Sequence, residues 1–124
     1  MIIGVGTDIV SISRIREILN RQGEKFVNRI LSQAEQKEIN GRFTPATVAK
    51  RFAAKEAVAK SLGTGIGSGV SFQDITITHD SKGGPLVKLC GGAAKVLDKK
   101  SGQKVLISLS DEQDYAIAYA VLTS

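Results

Sequence analysis

Two acidic residues, Asp8 and Glu56, stand where a carboxylate would need a partner. Asp8 belongs to an alternating, β-rich segment in which Gly4 and Gly6 share its face, because side chains alternate along a strand. Those glycines leave room for a bulky group to approach the strand. Glu56 falls within the apolar stripe of a segment with helical periodicity, where an unpaired carboxylate is costly to bury. Glu56 therefore requires a cation, a metal ion or a proton as its partner.

Two explanations for Glu56 follow from its neighbours. In the first, Glu56 forms an ordinary helix ion pair with Lys60, four residues further on, which would contribute about 0.3–0.5 kcal/mol. In the second, Asp8 and Glu56 together hold a hard cation such as Mg²⁺, which typically takes one or two protein carboxylates and completes its shell with water and substrate phosphate. Spacing alone does not show that the two carboxylates meet, so both explanations stay open.

A glycine-rich segment, GTGIGSG at 63–69, is the other candidate for chemistry. It lacks the Walker A lysine, has Ser68 where G-x-G-x-x-G requires a third glycine, and follows a helix instead of opening one, so neither nucleotide fingerprint applies. The segment is then either a helix cap with a flexible connector or a nest of backbone amides that binds phosphate oxygens.

These residues must be positioned by a small set of elements. Periodicity and turn residues predict strands at 2–10, 75–78, 86–89, 104–110 and 115–122, and helices at 11–22, 32–40, 45–62 and 93–100. Ala116, Ala118 and Ala120 share one strand face, which leaves space for a helix to pack closely. The order of elements predicts a single α+β domain over 1–124, with an antiparallel sheet packed against one long helix.

The long helix, 45–62, begins with Thr44 as N-cap and Pro45 at the first helical position. Its predicted core stripe consists of Val48, Ala49, Phe52, Ala53 and Ala59. On a helical wheel, Lys50, Arg51 and Lys55 fall on the opposite or flanking side. We therefore expect these three cations to lie away from the core.

Composition limits the function classes. A net charge of +5 and a pI near 9.5 predict anionic partners, but aromatic residues make up only 5% and tryptophan is missing, which disfavours stacking on single-stranded nucleic acid. No apolar run is long enough for a membrane span and the first residues lack a basic signal region, so a cytoplasmic location is expected. The single cysteine, Cys90, is expected to be a small buried thiol.

The stretch RFAAKEAVAKSLGTGIG (51–67), together with GVGTDIVSISRI (4–15) and SFQDI (71–75), resembles the holo-acyl-carrier-protein synthases, which are small 4′-phosphopantetheinyl transferases. The resemblance implies an α+β fold and usually a homotrimer with active sites between subunits. It also implies transfer of 4′-phosphopantetheine from coenzyme A to a serine of an apo-acyl carrier protein, with release of adenosine 3′,5′-bisphosphate, in support of fatty acid biosynthesis.

The same resemblance implies roles for individual residues. Asp8 and Glu56 would be Mg²⁺ ligands, and Lys60 would contact the transferred phosphate. The residues implied to hold the nucleotide part of coenzyme A are Arg51, Gly63, Thr64 and Gly65, and those implied to bind the acidic carrier protein are Arg14 and Arg21. The serine proton would pass to Glu56, to Asp8 or to a metal-bound water, with Glu56 and the water favoured.

Three positions depart from the family pattern or match none. Gly84 stands where many members have a basic residue, so no side chain can contact the nucleotide from there. Asp111 occupies a position where some members have histidine, and His79, the only histidine, matches no family site and is expected at the surface.

Two other classes fit parts of the sequence. A non-catalytic nucleic-acid-binding module would explain the positive charge, with steep salt dependence, but would leave Glu56 on an apolar stripe unexplained. A metal-dependent phosphohydrolase would act on coenzyme A without any carrier protein.

Overall fold

The computed structural model describes all 124 residues. In chain order the elements are β1 (Ile2–Ser11), α1 (Ile12–Gln22), α2 (Glu24–Ile30), α3 (Gln33–Ile39), α4 (Pro45–Ser61), a 3-10 turn (Phe72–Asp74), β2 (Ile75–His79), β3 (Pro85–Leu89), α5 (Gly91–Lys99), β4 (Lys104–Asp111) and β5 (Tyr115–Thr123). The predicted α+β class, with one long helix and antiparallel pairing, is confirmed.

The strands form two separate antiparallel sheets. The larger has the order β1-β5-β4, and the smaller consists of β2 and β3. In the larger sheet Ala118 of β5 is the register partner of both Asp8 on β1 and Leu109 on β4. The predicted hairpin between the last two strands is therefore present, and the first strand pairs with the last.

The long helix α4 lies unusually close to this sheet. A Cβ atom added to Gly4 would lie 2.1 Å from the carbonyl oxygen of Ser61, and one added to Gly6 would lie 2.0 Å from the carbonyl oxygen of Ala57. On β5 the alanines Ala116, Ala118 and Ala120 are fully buried on the same face. Only glycine fits at positions 4 and 6 of β1. The space that these glycines were predicted to leave for a bulky group is occupied by α4.

The prediction that Lys50, Arg51 and Lys55 lie away from the core is wrong for two of these three cations. Lys55 is completely buried and Arg51 is nearly so. The helix is surrounded, because the sheet covers one side and α1, α2 and β2 cover the other. A helical wheel of α4 alone could not show this, because the counter-charge of Lys55 and Arg51 is the buried acid Glu35, which lies on a different helix.

Lys55 is satisfied by three oxygen atoms in the interior. Its Nζ donates to the carbonyl oxygens of Ile30 at 2.6 Å and Phe72 at 3.1 Å, and to a carboxylate oxygen of Glu35. Burial lowers the pKa of Lys55, and the charge of Glu35 opposes that effect. This network ties α2, α3 and the 3-10 turn to the centre of α4, and thereby fixes the helix that carries Glu56.

Other predicted details differ locally. The helix α2 was not predicted, because it is short and follows α1 directly after Gly23, whose φ of 55° ends α1. The helix α5 begins at Gly91, two residues before the predicted start, and Ser101, with φ of 55°, is left-handed just after its end. Cys90 is exposed, contrary to expectation; it lies between β3 and α5, as the N-cap residue of α5.

The face of the large sheet that points away from α4 is apolar yet uncovered. We call it the outer sheet face; its large apolar residues are Val5, Ile9, Leu106, Tyr115, Ile117 and Tyr119, each 44–60% exposed. These residues alternate with the buried ones along β1, β4 and β5.

Among the helices, none combines the length and the apolar character that crossing a bilayer would require.

Candidate functional site

Close packing of α4 on β1 brings Asp8 beside Glu56. The strand β1 and the helix α4 run in opposite directions, because Gly4 faces Ser61 and the later residue Gly6 faces the earlier residue Ala57. Asp8, two residues further along β1 on the same face, therefore lies beside the preceding turn of α4, which contains Glu56. Burial raises the pKa of Glu56, and the negative charge of Asp8 raises it further. The two carboxylates interact electrostatically, so the convergence that spacing left open is present.

Lys60 completes this cluster from the last turn of α4. Its Nζ lies 3.2 Å from Oδ1 of Asp8 and donates to the carbonyl oxygen of Thr7 at 3.0 Å. Its positive charge opposes the rise in the pKa of Glu56, but no ion pair within 4.0 Å joins Glu56 to Lys60. The ordinary helix ion pair is therefore not formed. Two carboxylates and one ammonium group leave an excess of negative charge, which suits a further cation.

The glycine segment serves mainly as a helix cap. The amide of Gly63 donates to the carbonyl oxygen of Lys60, and the amides of Thr64 and Gly65 donate to that of Ala59. A phosphate-binding nest uses free amides, and in this structure these three amides are engaged in capping the helix. Gly63 and Gly65 have φ of 84° and 67°, which explains why glycine is needed there.

Arg51 borders the largest cavity of the chain, of about 380 Å³. We call it the Arg51 cavity; it is lined by Thr47, Lys50, Arg51, His79, Gly83, Pro85, Ile107, Ser108, Leu109 and Asp111. The guanidinium Nη2 donates to Oε1 of Glu38 at 2.7 Å, and Nε donates to the carbonyl oxygen of Ile77 at 3.4 Å. Arg51 is therefore fixed in orientation, with only 7% of its side chain exposed.

The positions that depart from the family pattern all lie at or beside this cavity. Oδ1 of Asp111 is 3.6 Å from Nζ of Lys50, so its charge is offset within the chain. The amide of Gly84 donates to Oδ1 of Asp80 at 2.8 Å, which stabilises the turn between β2 and β3. His79 is at the surface, as expected. Only one third of its side chain is exposed, because the ring lies against Glu38. The importance of Glu38 was not predicted, because the partners of Arg51 are distant in sequence.

The two arginines expected to bind a carrier protein are exposed on α1. Ser11 caps this helix by accepting a hydrogen bond from the amide of Arg14. Arg14 thus lies in the first turn, six residues after Asp8 in the chain, and Arg21 lies in the last turn. Both side chains are free of ion pairs. Because α1 continues directly from β1, the basic helix adjoins the strand that carries Asp8.

Fold and site together define a small α+β protein in which a strand carboxylate and a helix carboxylate meet beside an ammonium group. A family model described as the 4′-phosphopantetheinyl transferase superfamily matches residues 4–120. The holo-[acyl-carrier-protein] synthase of Shewanella denitrificans is 52% identical over 124 residues, which covers 99% of this chain and 98% of that protein. The one of Vibrio cholerae is 46% identical over 127 residues, with 98% of both proteins covered.

Solved structures give the same result. The holo-[acyl-carrier-protein] synthase of Neisseria meningitidis has a TM-score of 0.92 and 42% identity, with 100% of both chains covered. The Helicobacter pylori enzyme, solved in complex with coenzyme A, has a TM-score of 0.85 and 36% identity, with 96% of this chain and 99% of that chain covered. The chain belongs to the 4′-phosphopantetheinyl transferase superfamily, within the holo-[acyl-carrier-protein] synthases. The resemblance is confirmed, and none of these relatives supports a nucleic-acid-binding module.

Proposed function

We propose that this chain transfers the 4′-phosphopantetheine group from coenzyme A to a serine of an apo-acyl carrier protein, yielding holo-acyl carrier protein and adenosine 3′,5′-bisphosphate. The observation that carries the proposal is the cluster of Asp8, Glu56 and Lys60, present in a chain whose relatives are named for this reaction. The serine oxygen forms a bond to the β-phosphorus, and the bond from that phosphorus to the bridging oxygen of the diphosphate breaks.

Asp8 and Glu56 suit magnesium as a donor set. Mg²⁺ commonly takes one or two carboxylates and fills its other positions with water and substrate phosphate, whereas structural zinc needs four nitrogen or sulfur ligands. No group of three or more histidine, cysteine, aspartate or glutamate side chains converges in this chain. The negative charges of Asp8 and Glu56 repel each other, so a divalent cation between them would stabilise both in the ionised form. When bound there, Mg²⁺ would neutralise charge on the diphosphate of coenzyme A.

The residues of the chain would then orient the reactants and take up the proton. Lys60, half exposed and held at Asp8, can reach a phosphate oxygen beside the carboxylates without leaving the cluster. Phosphoryl transfer depends mainly on such positioning and on charge stabilisation. Glu56 lies beside Asp8 in the cluster and would accept the serine proton.

Coenzyme A would also use the Arg51 cavity and the segment Gly63–Thr64–Gly65. The Helicobacter pylori relative is described as a complex with coenzyme A, and Arg51 offers this chain's most rigidly held guanidinium at the edge of the cavity. Nζ of Lys100 lies 3.3 Å from the Cβ position that Gly63 lacks, so a second cation stands over the glycine segment. Both features favour an anionic ligand.

The acidic carrier protein would bind to Arg14 and Arg21 on α1. Replacing Arg14 with glutamate is expected to weaken carrier binding by about 10-fold or more, since a favourable charge pair becomes a repulsive one. Coenzyme A binding should change little. Separate titrations of the two ligands check this, with Lys37→Glu on α3 as a matched charge reversal at an exposed lysine outside α1. Equal losses for both ligands would place the carrier elsewhere.

The outer sheet face would be the interface of a homotrimer with active sites between subunits. Six exposed apolar side chains on one face are more than a monomer usually leaves in water. We expect Ile117→Asp to convert the assembly to monomers, because it places a charge at the centre of this face. Light scattering after gel filtration measures the mass. Leu86→Asp, at a residue 49% exposed on β3, is the control and should keep the mass of the parent protein.

The transfer would take place in the cytoplasm and supply fatty acid biosynthesis with its carrier. Incubation with coenzyme A, Mg²⁺ and apo-acyl carrier protein, followed by mass spectrometry, tests the reaction. We expect the carrier to gain the mass of one phosphopantetheine group. Release of adenosine 3′,5′-bisphosphate without a carrier would instead indicate a hydrolase, and an unchanged carrier mass would contradict the proposal.

A further inference from the structure

The short helix α2 ends without a glycine cap. Leu31, which follows it, has an extended backbone with φ of −104°, and the carbonyl oxygens of residues 28–31 accept no hydrogen bond from a backbone amide. A helix of seven residues is marginal by itself, and unpaired carbonyl groups would weaken its end further. The end of α2 therefore depends on donors from other parts of the chain.

Gln73 supplies most of these donors. Its Nε2 donates to the carbonyl oxygen of Asn28 at 2.6 Å and to that of Leu31 at 2.9 Å, and lies 3.5 Å from that of Arg29. Backbone carbonyl groups can only accept, so the nitrogen of the Gln73 amide must be the atom that faces them. The fourth carbonyl oxygen accepts from Lys55. Gln73 is thus the main restraint on the end of α2 from outside the buried core.

The turn that carries Gln73 is itself fixed from two sides. Oδ2 of Asp74 accepts from the amide of Ser71 at 3.1 Å, and the carbonyl oxygen of Asp74 accepts from the N-cap amide of α5 at 2.8 Å. The ring of Phe72 packs on that of Phe52 of α4, with 5.3 Å between the ring centroids. The side chain of Gln73 therefore extends from a rigid turn and restrains α2.

Arg29 is the exposed cation whose position this restraint determines. Its side chain forms no ion pair. Together with Gln73 it lines a cavity of about 330 Å³, which we call the Arg29 cavity; the apolar lining residues are Ile66, Val70 and Phe72. Gln73 holds the backbone of the turn that carries Arg29, so the place of the guanidinium group beside the cavity depends on Gln73.

The surface around this cavity is basic. Residues 12–30, which form α1 and α2, contain five arginine and lysine residues and two glutamates, a net charge of +3. An acidic carrier protein complements this charge, and its surface can also offer an apolar side chain to the cavity. The residues implied to hold coenzyme A, Arg51 and the segment 63–65, do not line it.

We propose that Gln73 is a positioning residue for carrier recognition: by holding the end of α2, it places Arg29 beside the Arg29 cavity, where the acidic surface of the carrier contacts the guanidinium group. The inference rests on the proposed function, because the partner is the apo-acyl carrier protein of that reaction. Since Gln73 acts through Arg29, its loss weakens carrier recognition and leaves the chemistry at Asp8 and Glu56 unchanged.

Gln73→Met tests this role, because methionine keeps the length of the side chain and removes the donor. We expect KM for apo-acyl carrier protein to rise roughly 3–10-fold, the range that corresponds to the net loss of one hydrogen bond. The values of kcat and of KM for coenzyme A should match those of the parent protein. Gln33→Met, the same change at an exposed glutamine of α3, is the control and should match the parent in all three constants.

A double variant shows whether Gln73 acts through Arg29. Arg29→Gln alone should raise KM for the carrier by at least as much as Gln73→Met does. Adding Gln73→Met to Arg29→Gln should then have little further effect, because no guanidinium group remains to be positioned. If the two effects multiplied instead, Gln73 would act independently of Arg29 and the proposal would be wrong.

Other results separate this role from a structural one and from the proposed function itself. An unchanged KM for the carrier, with normal transfer, would overturn the role of Gln73 and leave the proposed function intact. A lower melting temperature accompanied by equal rises in both KM values would show that Gln73 only stabilises the fold, which also contradicts the proposal. Failure of the parent protein to modify the carrier would remove the proposed function, and this inference with it.

Discussion

Glu56→Gln is expected to lower the rate of phosphopantetheine transfer by about 10²–10⁴-fold, the usual loss when a catalytic base or a preorganised charge is removed. Glutamine keeps the shape of the side chain but has neither the negative charge that would hold Mg²⁺ nor a basic oxygen. The cluster would retain Asp8 and Lys60, which already pair with each other at 3.2 Å. Initial rates with saturating coenzyme A and carrier protein measure the loss.

The same substitution should not destabilise the fold, which separates a functional role from a structural one. Burial and the charge of Asp8 raise the pKa of Glu56 in the folded chain. A raised pKa means that ionisation opposes folding, so the stability contributed by Glu56 is present at acid pH and is lost as pH rises through the folded-state pKa. At neutral pH, without divalent metal, Glu56→Gln should melt at the same temperature as the parent protein or higher.

Asp98→Asn, which changes an exposed carboxylate on α5 to an amide, is the matched control and should leave rate and melting temperature unchanged. Near-parent turnover by Glu56→Gln would remove Glu56 from the site. A large fall in melting temperature would show instead that Glu56 contributes to stability, and the loss of rate would then be indirect.

Lys55→Met is expected to lower the free energy of unfolding by about 3–5 kcal/mol, because it leaves the fully buried carboxylate of Glu35 without its main counter-charge. That loss is a large part of the total stability of a typical domain. Glu35 would keep only the amides of Ser32 and Ile77 and a longer contact of 3.5 Å to Nε of Arg51. Urea unfolding at one fixed protein concentration measures the change, since any assembly makes stability depend on concentration.

The double variant Lys55→Met/Glu35→Gln should recover part of this loss, since no unpaired charge then remains in the interior. It should not recover all of it, because Glu35 also completes the capping box of α3 with Ser32. Lys95→Met, at an exposed lysine of α5, is expected to stay within about 0.5 kcal/mol of the parent protein. A single variant as stable as that control would contradict the assigned role of the Lys55–Glu35 pair.

Much of the fold could be predicted because local signals agreed with the final packing. Thr44 and Pro45 mark the start of α4 in the sequence, and the alternation in the last two strands predicts their hairpin. Gly4, Gly6 and the alanines of β5 predicted a close approach to the sheet, and α4 makes it. The helix α2 was missed because a helix of seven residues owes its existence to the buried side chains it packs, which local propensity does not reveal.

The residues of the candidate site could be predicted from the sequence, but the contacts that hold the neighbouring residues in place could not. Asp8, Glu56 and Lys60 could be chosen from residue type, strand face and family resemblance, and the structure brings them together. The burial of Lys55 and the anchoring of Arg51 and His79 by Glu38 could not be inferred, because each depends on partners 13 to 41 residues away in the chain. The amides of the glycine segment were also ambiguous, since a helix cap and a phosphate nest require the same residues.

We propose that Asp8 and Glu56 coordinate a single divalent ion beside the diphosphate of coenzyme A. A crystal structure of the chain with coenzyme A and Mn²⁺ in place of Mg²⁺ tests it most directly, since the anomalous signal of Mn²⁺ distinguishes the metal from water and lighter ions. We predict one strong peak between the Asp8 and Glu56 carboxylates, in contact with a diphosphate oxygen and lost in Glu56→Gln crystals. A peak bound by other side chains, with coenzyme A present and these two carboxylates left without metal, would contradict the account.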